Sequence, residues 1–236
     1  ISDARIHYAY RDVGGIAPNV VQGHSRVHYF IRAPKSWQVK EIYRRVVDVA
    51  EGAAKMTGTE MTYELYAGLS DYIPNHVLSE VLHESMEEIG APAYDEADFA
   101  LASRFFHETA TLEELEAKRA SLRKLFGADH LDEIEARPLH TRISPLVWTG
   151  KVQAGSTDVG DASYVIPTAM CTTATATLGT AAHKAMLNAG EAIALAALKT
   201  MESPEILKKA HDEWLAETNG IYECPIPKEI GPRLED

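Results

Sequence analysis

Two carboxylates three residues apart are the side chains of this sequence best suited to chemistry. Asp158 and Asp161 lie among the small residues of segment 155–168, just before the apolar run 164–166. Glycine allows the backbone to approach a ligand closely, and carboxylates at such a place can bind metal ions or amines. The same spacing also fits a surface turn whose aspartates accept hydrogen bonds from their own backbone, and on spacing alone we favour the turn.

The ten histidines suggest metal binding, but their spacing does not. His24 and His28 fall on a predicted strand about 13 Å apart, too far to share one ion. His76 and His83 fall on a predicted helix about 10 Å apart. The sequence contains no phosphate-binding glycine loop, no G-x-S-x-G elbow and no H-E-x-x-H motif. Spacing alone therefore completes no catalytic set.

Composition narrows the class of protein. The 236 residues can form one large domain or two modest ones, and the net charge of −12 argues against nucleic acid or an anionic membrane as partner. No run reaches the roughly 18 apolar residues that a transmembrane helix needs. Cys171 and Cys224 lie far apart and outside any CxxC spacing. We therefore expect no disulfide framework, no paired-cysteine zinc site and a cytoplasmic protein.

Elements of the first third follow the order β-β-α-β. Residues 6–11 and 26–32 alternate as strands, a helix with a possible cap at Ser36 runs to Gly58, and residues 61–67 alternate again. This order is the last two-thirds of a ferredoxin-like β-α-β-β-α-β module, without its opening β-α.

The remainder is predicted to be mainly helical. Helices are expected after Asn75, from Asp95 to His107, after a Thr111–Glu114 capping box, from His183 to Met201 and after Ser203. Residues 169–177 are expected to form a buried strand. In the long alanine-rich helix, we expect one set of apolar side chains to face inward: Met186, Leu187, Ile193, Ala194, Ala197 and Leu198. The predicted class is α/β or α+β in two parts.

Several motifs in order resemble the zinc aminoacylase and glutamate carboxypeptidase family of metallopeptidases, in its aminobenzoyl-glutamate hydrolase branch. The matching segments are Ile-Ala-Pro-Asn-Val-Val at 16–21, Tyr-Phe-Ile-Arg-Ala-Pro at 29–34, Glu-Gly-Ala-Ala at 51–54, Met-Thr-Gly-Thr at 56–59, Tyr-Ile-Pro-Asn at 72–75, Gly-Ser-Thr-Asp-Val-Gly-Asp at 155–161, Pro-Thr at 167–168, Leu-Gly-Thr at 178–180, Ala-His-Lys-Ala-Met-Leu at 182–187 and Tyr-Glu-Cys-Pro-Ile-Pro at 222–227.

The resemblance implies a zinc-binding catalytic domain interrupted by a smaller dimerisation or lid domain. It makes residues 1–73 the later part of the lid domain and 74–236 the last part of the catalytic domain. Members hydrolyse an amide with two zinc ions per site and a glutamate base. Most of those ligands, and the glutamate, come from an earlier part of the family's catalytic domain that has no counterpart here. We therefore assign no catalytic residue and expect the isolated chain to be inactive.

The resemblance assigns substrate-binding roles to two residues of this sequence. It implies that the amide of Asn19 steadies the scissile carbonyl and that the guanidinium of Arg32 binds a substrate carboxylate. Without the resemblance, the strand pattern alone would make Arg32 an ordinary solvent-facing residue.

The segment with the two aspartates resembles a loop that lines the family's active-site cleft. Gly155, Ser156 and Thr157 are then expected to line the cleft. Asp158 and Asp161 are expected to orient neighbouring groups by hydrogen bonds rather than to bind metal directly.

One metal-binding loop of the family is missing. The family's last zinc-binding histidine lies between the Gly-Thr pair and the long helix, but here Thr180 is followed almost at once by His183. His183 is the one candidate ligand nearby, and a poor one, so we expect the chain to bind zinc weakly or not at all.

Two functions remain open from sequence. The first is part of a zinc-dependent amidohydrolase that acts, as a homodimer, on N-acyl or aminobenzoyl amino acids or dipeptides. The second is a non-catalytic fragment that self-associates through the exposed edge of its incomplete sheet.

Overall fold

A computed structural model describes residues 3–126, 138–150, 152, 155–174 and 179–230. The chain forms two compact units. The first comprises Ile1–Tyr72, Lys151–Tyr164 and Ile221–Asp236; the second comprises Ile73–Gly150 and Val165–Gly220. The predicted domains, 1–73 and 74–236, are parts of the lid and catalytic domains of the family. Their assignment to those domains stays a prediction.

The first unit contains a two-stranded antiparallel sheet and one long helix. Strand β1 (Arg5–Asp12) pairs with β2 (Arg26–Arg32), with Tyr8 opposite Tyr29, and α1 (Ser36–Thr57) follows. Helix α1 begins at Ser36 with Lys35 as its N-cap, and it ends where Gly58 adopts φ 66°, a left-handed conformation that glycine tolerates without strain. Both predicted strands and this helix are confirmed. The predicted cap at Ser36 is wrong, because Ser36 is the first helical residue and its hydroxyl donates to Asp71 instead.

The predicted third strand is wrong. Residues 61–67 alternate in sequence as a strand does, yet the structure assigns them no regular secondary structure. Alternation predicts a strand only where a neighbouring strand supplies backbone partners. The described sheet therefore has two strands, and the α/β class holds only loosely because helices dominate the described residues.

Helices build the second unit. They are α2 (His76–Ile89), α3 (Glu96–Thr109), α4 (Leu112–Phe126), α6 (Thr180–Glu202) and α7 (Pro204–Thr218), while α5 (Val159–Val165) precedes α6 in the segment with the two aspartates. The side chains of Asn75, Asp95 and Ser203 accept hydrogen bonds from first-turn amides of α2, α3 and α7. The predicted caps at Asn75 and Ser203 are confirmed, because such caps depend on only a few consecutive residues. Asp95, which the sequence predicted as the first helical residue, is instead the N-cap of α3.

The apolar core lies in the second unit. All fully buried apolar side chains of the described residues belong to it, and most of them form two clusters, one around Val81 and Leu82 of α2 and one around Leu139. Helix α2 packs against both α6 and α7. In the first unit, by contrast, β1, β2 and α1 contain no fully buried residue.

Two further predictions about buried elements are wrong. Residues 169–174 are not assigned as a strand, and 175–177 lie outside the described residues. In α6 the apolar side chains expected to face inward are mostly exposed, including Met186 and Ile193. The buried side is instead formed by four alanines, Ala181, Ala185, Ala192 and Ala196. Small side chains let α6 approach α2 closely, a choice that apolar periodicity alone does not reveal.

Candidate functional site

The segment with the two aspartates folds as a turn leading into α5. The hydroxyl oxygen of Thr157 accepts the Val159 amide hydrogen at 3.3 Å, and its carbonyl accepts the Gly160 amide hydrogen at 3.1 Å. These bonds satisfy backbone donors at the start of the helix. Gly155, Ser156 and Asp158 are exposed on the turn, and Thr157 is half-buried. The role of Gly155, Ser156 and Thr157 in lining a cleft stays a prediction.

Asp161 has a different environment from Asp158. Its carboxylate accepts hydrogen bonds from the Ser70 hydroxyl at 2.5 Å, the Ser70 amide at 3.3 Å and the Tyr222 hydroxyl at 3.1 Å. Residues far apart in sequence thus meet at one partly buried carboxylate. Asp161 fastens the α5 segment to residue 70 and to the segment that contains Tyr222.

A close backbone contact reinforces this connection at Gly160. A Cβ atom added at Gly160 would lie 2.2 Å from the carbonyl oxygen of Ser70. No side chain fits there without moving backbone, so the glycine is required for the approach of α5 to residues 70 and 71.

Asp71 forms a second carboxylate centre beside the first. It accepts hydrogen bonds from the Ser36 amide at 3.0 Å, the Ser36 hydroxyl at 2.6 Å, the Lys35 ammonium at 3.0 Å and the Tyr164 hydroxyl at 3.0 Å. Burial would raise the pKa of Asp71, but the hydrogen bonds from Ser36 and Lys35 outweigh it and lower that pKa. Asp71 is therefore ionised at neutral pH.

Tyr164 and Tyr222 serve these carboxylates as hydrogen-bond donors. Burial, and then the nearby Asp71, raise the pKa of Tyr164 to about 12. The hydroxyl therefore keeps its proton at neutral pH and can donate it to Asp71. The two tyrosine rings lie 6.2 Å apart between their centroids.

Sequence reasoning missed this network, whose members are Lys35, Ser36, Ser70, Asp71, Tyr164 and Tyr222. Asp71 directly precedes the Tyr-Ile-Pro-Asn motif, and Tyr222 opens the last motif. The motifs could be identified in the sequence, but no rule of residue spacing predicts a contact between residues as distant as Ser70 and Asp161. The sequence offered one indication of this network, because aspartates and tyrosines such as Asp71 and Tyr222 lie at the edges of the matched motifs.

The two predicted substrate-binding side chains lie in the first unit, as does the segment 155–161. Asn19 is exposed in the β1–β2 connection, where the Val20 amide donates to the Ala17 carbonyl at 3.3 Å and closes a turn. Arg32 is exposed at the end of β2, directly opposite Arg5 of β1. Directly opposed residues of an antiparallel pair share one face, so two guanidinium groups project from the same side of the sheet.

His183, the candidate metal ligand, belongs to the second unit. It is exposed in the first turn of α6, where its amide donates to the Gly179 carbonyl at 3.2 Å. The nearby carboxylate of Asp98 already accepts hydrogen bonds from Lys184, at 2.6 Å, and from Thr180. Across the described residues, no three His, Cys, Asp or Glu side chains are grouped as a metal site requires. The described part of the chain therefore does not fit a zinc centre by itself.

Zinc content tests this conclusion directly. We expect the purified chain, incubated with zinc and then desalted, to retain far less than one ion per molecule, because a lone exposed histidine binds zinc weakly. Elemental analysis by mass spectrometry gives the ratio, and a His183→Ala variant provides the control. Stoichiometric zinc that the variant loses would contradict the expectation.

None of the described helices is both long and apolar enough to span a bilayer. No family model and no solved structure matches the chain.

A curated relative does match it. A p-aminobenzoyl-glutamate hydrolase subunit from Escherichia coli (strain K12) is 33% identical over 254 residues, which cover 98% of this chain and 52% of that protein. The chain thus spans about half the length of the relative. Because the aligned region is longer than the chain's own 236 residues, the relative has residues opposite gaps in this chain. A shortened loop after Thr180 would produce such a gap in the alignment. The position of the gap in this chain stays a prediction.

The identity across nearly the whole chain agrees with the order of motifs. The chain is therefore a homologue of this p-aminobenzoyl-glutamate hydrolase subunit, over about half the length of that protein.

Proposed function

We propose that this chain is the substrate-binding part of a zinc-dependent amidohydrolase that cleaves the amide bond of aminobenzoyl or other N-acyl amino acids. The 33% identity to a p-aminobenzoyl-glutamate hydrolase subunit over 98% of the chain carries this proposal. The rest of the enzyme supplies most of the zinc ligands and the general base. When bound, zinc activates the attacking water.

In this proposal Arg32 and Asn19 position the substrate. Arg32 forms a bidentate pair with the carboxylate of the released amino acid, and the Asn19 amide donates to the scissile carbonyl. Arg5 adds a second positive charge on the same face of the sheet as Arg32. Both proposed contacts are supported by the exposure of Asn19 and Arg32.

Removal of the Arg32 guanidinium tests this role. In the complete enzyme we expect Arg32→Ala to raise KM for p-aminobenzoyl-glutamate by about 10-fold or more, because a charge-assisted bidentate contact is lost. Arg26→Ala is the matched control, since Arg26 is an exposed arginine at the other end of β2. An unchanged KM in Arg32→Ala, or an equal rise in both variants, would refute the assignment.

Self-association is the second candidate function, and one observation favours it. One face of the sheet is apolar and largely exposed, with Tyr8 62% and Tyr10 66% accessible. Its members are Ile6, Tyr8, Tyr10, Val27, Tyr29 and Ile31. An exposed face of this kind, in a sheet with only two strands among the described residues, favours pairing with a second copy.

Sedimentation analysis distinguishes this candidate. If the face joins two copies, the chain sediments as a dimer and Tyr8→Glu shifts it to monomer, because a charge replaces apolar area. Trp37→Glu, at an equally exposed position on α1, should leave the dimer intact. A monomer at all concentrations, or a dimer indifferent to Tyr8→Glu, would exclude this role for the face.

A further inference from the structure

A half-buried histidine beyond α4 carries a hydrogen-bond donor that meets no acceptor. The Nδ1 atom of His140 accepts the Arg142 amide hydrogen at 3.2 Å, so the neutral ring carries its proton on Nε2. That Nε2 atom is buried, and no hydrogen-bond partner lies within its reach in the described part of the chain. A buried donor of this kind costs free energy unless another group accepts its hydrogen bond.

Two aromatic rings and a lysine lie near this donor. The Phe126 ring, at the end of α4, contacts the His140 ring edge to face, with 4.9 Å between the ring centroids. Lys118 lies about two turns earlier on α4, and its ammonium nitrogen is 4.2 Å from the centre of the Phe106 ring of α3. We call these four side chains, which are half-buried and belong to the second unit, the His140 cluster: Phe106, Lys118, Phe126 and His140.

The lysine of the cluster also has an unused charge. Its ammonium group makes a cation–π contact with Phe106, but it forms no ion pair with a carboxylate of the described residues. Burial lowers the pKa of Lys118, because the charged form loses hydration. Half-buried lysines are normally paired with an anion, so this one lacks the usual partner.

Positive charge is therefore concentrated around the unsatisfied donor. Burial, and then the charges of Lys118 and Arg142, lower the pKa of His140. The chain as a whole has a net charge of −12, so this local excess of cations runs against its overall composition. Cations and donors that meet no acceptor are complementary to an anionic ligand.

The chemistry of the cluster indicates the class of anion. The Lys118 ammonium supplies one positive charge and His140 supplies one neutral donor, which match the single charge and two oxygens of a carboxylate. A doubly charged phosphate would leave part of its charge unpaired in a half-buried place, which is costly. The rings of Phe106 and Phe126 favour a ligand with an apolar body behind its carboxylate.

We propose that the His140 cluster binds a small carboxylate that carries an apolar group. His140 Nε2 and the Lys118 ammonium donate to the carboxylate oxygens, and the two phenylalanine rings contact the apolar part. Binding satisfies the buried donor and pairs the lysine. None of these residues belongs to the proposed substrate-binding set, so the proposal does not depend on the hydrolysis of aminobenzoyl substrates.

Titration with sodium benzoate tests the proposal on the chain itself. Nuclear magnetic resonance of the histidine-labelled chain follows the ring of His140, whose signals are assigned by their loss in His140→Phe, and sodium chloride keeps the ionic strength constant. We expect the proton on Nε2, a saturable shift of the His140 signals and a rise in the pKa of His140 as benzoate binds, because a bound anion stabilises the charged ring.

Two matched substitutions identify the lysine. Lys118→Met keeps the apolar stem without the charge and should weaken benzoate binding by at least 10-fold, whereas Lys124→Met, at an exposed position on the same helix, should leave it unchanged. Circular dichroism confirms that both variants fold, and the titration of the unmodified chain stands whether or not they do.

Three results would overturn the proposal. The first is the absence of a saturable shift, or equal affinity in the two lysine variants. The second is binding of inorganic phosphate as tight as that of benzoate, which would contradict the assignment to a carboxylate. The third is a His140 pKa at or above the ordinary value of 6.5 without added anion, because a group of the chain itself would then accept the hydrogen bond from Nε2.

Discussion

Replacing Asp98 by alanine is expected to lower the melting temperature of the chain by roughly 10 °C, because it leaves Lys184 beside a buried space without its buried carboxylate partner. Asp98 is 0% exposed, and its carboxylate accepts hydrogen bonds from Lys184 at 2.6 Å and from Thr180. It therefore fastens α3 to the first turn of α6. Differential scanning calorimetry measures the shift.

Asp95 offers the matched control. It also pairs with Lys184, at 2.7 Å, but its side chain is 61% exposed. Solvent screens such a pair, so we use Asp95→Asn, which removes the charge but keeps a side chain that can cap α3, and expect it to lower the melting temperature by only a few degrees. Equal effects of the two substitutions would show that burial does not distinguish the two carboxylates.

The Asp98 contribution also depends on pH. Hydrogen bonds from Lys184 and Thr180 lower the pKa of Asp98 to about 2, below the ordinary value of 3.8. The stabilisation is therefore complete above the unfolded-state pKa and is lost as the pH falls from about 4 to about 2. The difference in melting temperature between wild type and Asp98→Ala should shrink over that interval, and a constant difference would contradict the assignment.

Replacing Asp161 by alanine should lower the free energy of unfolding by about 2–3 kcal/mol, because the Ser70 amide, the Ser70 hydroxyl and the Tyr222 hydroxyl all lose their carboxylate acceptor. Asp158→Ala is the control three residues away, at an exposed position, and should change stability by less than about 0.5 kcal/mol. Urea denaturation measures both. A large loss in Asp158→Ala together with a small one in Asp161→Ala would reverse the roles that the contacts indicate.

In the complete enzyme, substitution of Asp158 distinguishes a structural role from a role in activity. If Asp158→Asn left activity and zinc content unchanged, Asp158 would be a turn residue and nothing more. Loss of activity without loss of stability would support its predicted role in orienting a neighbouring group.

Local features of this fold could be predicted from sequence. The caps at Asn75 and Ser203 could be predicted because each cap involves only a few consecutive residues, and the helix end at Gly58 needs only one glycine. The order of motifs predicted the family as well.

Features that depend on distant partners could not be predicted. Residues 61–67 have strand-like alternation without a strand, because pairing requires a neighbour that no local pattern specifies. The apolar periodicity of α6 predicted the wrong inward side, because four alanines rather than the large apolar side chains face the core. The Asp161 and Asp71 network joins segments that only the folded chain brings together.

Release of p-aminobenzoate from p-aminobenzoyl-glutamate, measured for this chain joined to the remaining half of the hydrolase, tests the proposed function most directly. We expect zinc-dependent release that a chelator abolishes, and no release by this chain alone. Hydrolysis by the isolated chain, hydrolysis that persists after zinc removal, or no hydrolysis by the joined halves would contradict it.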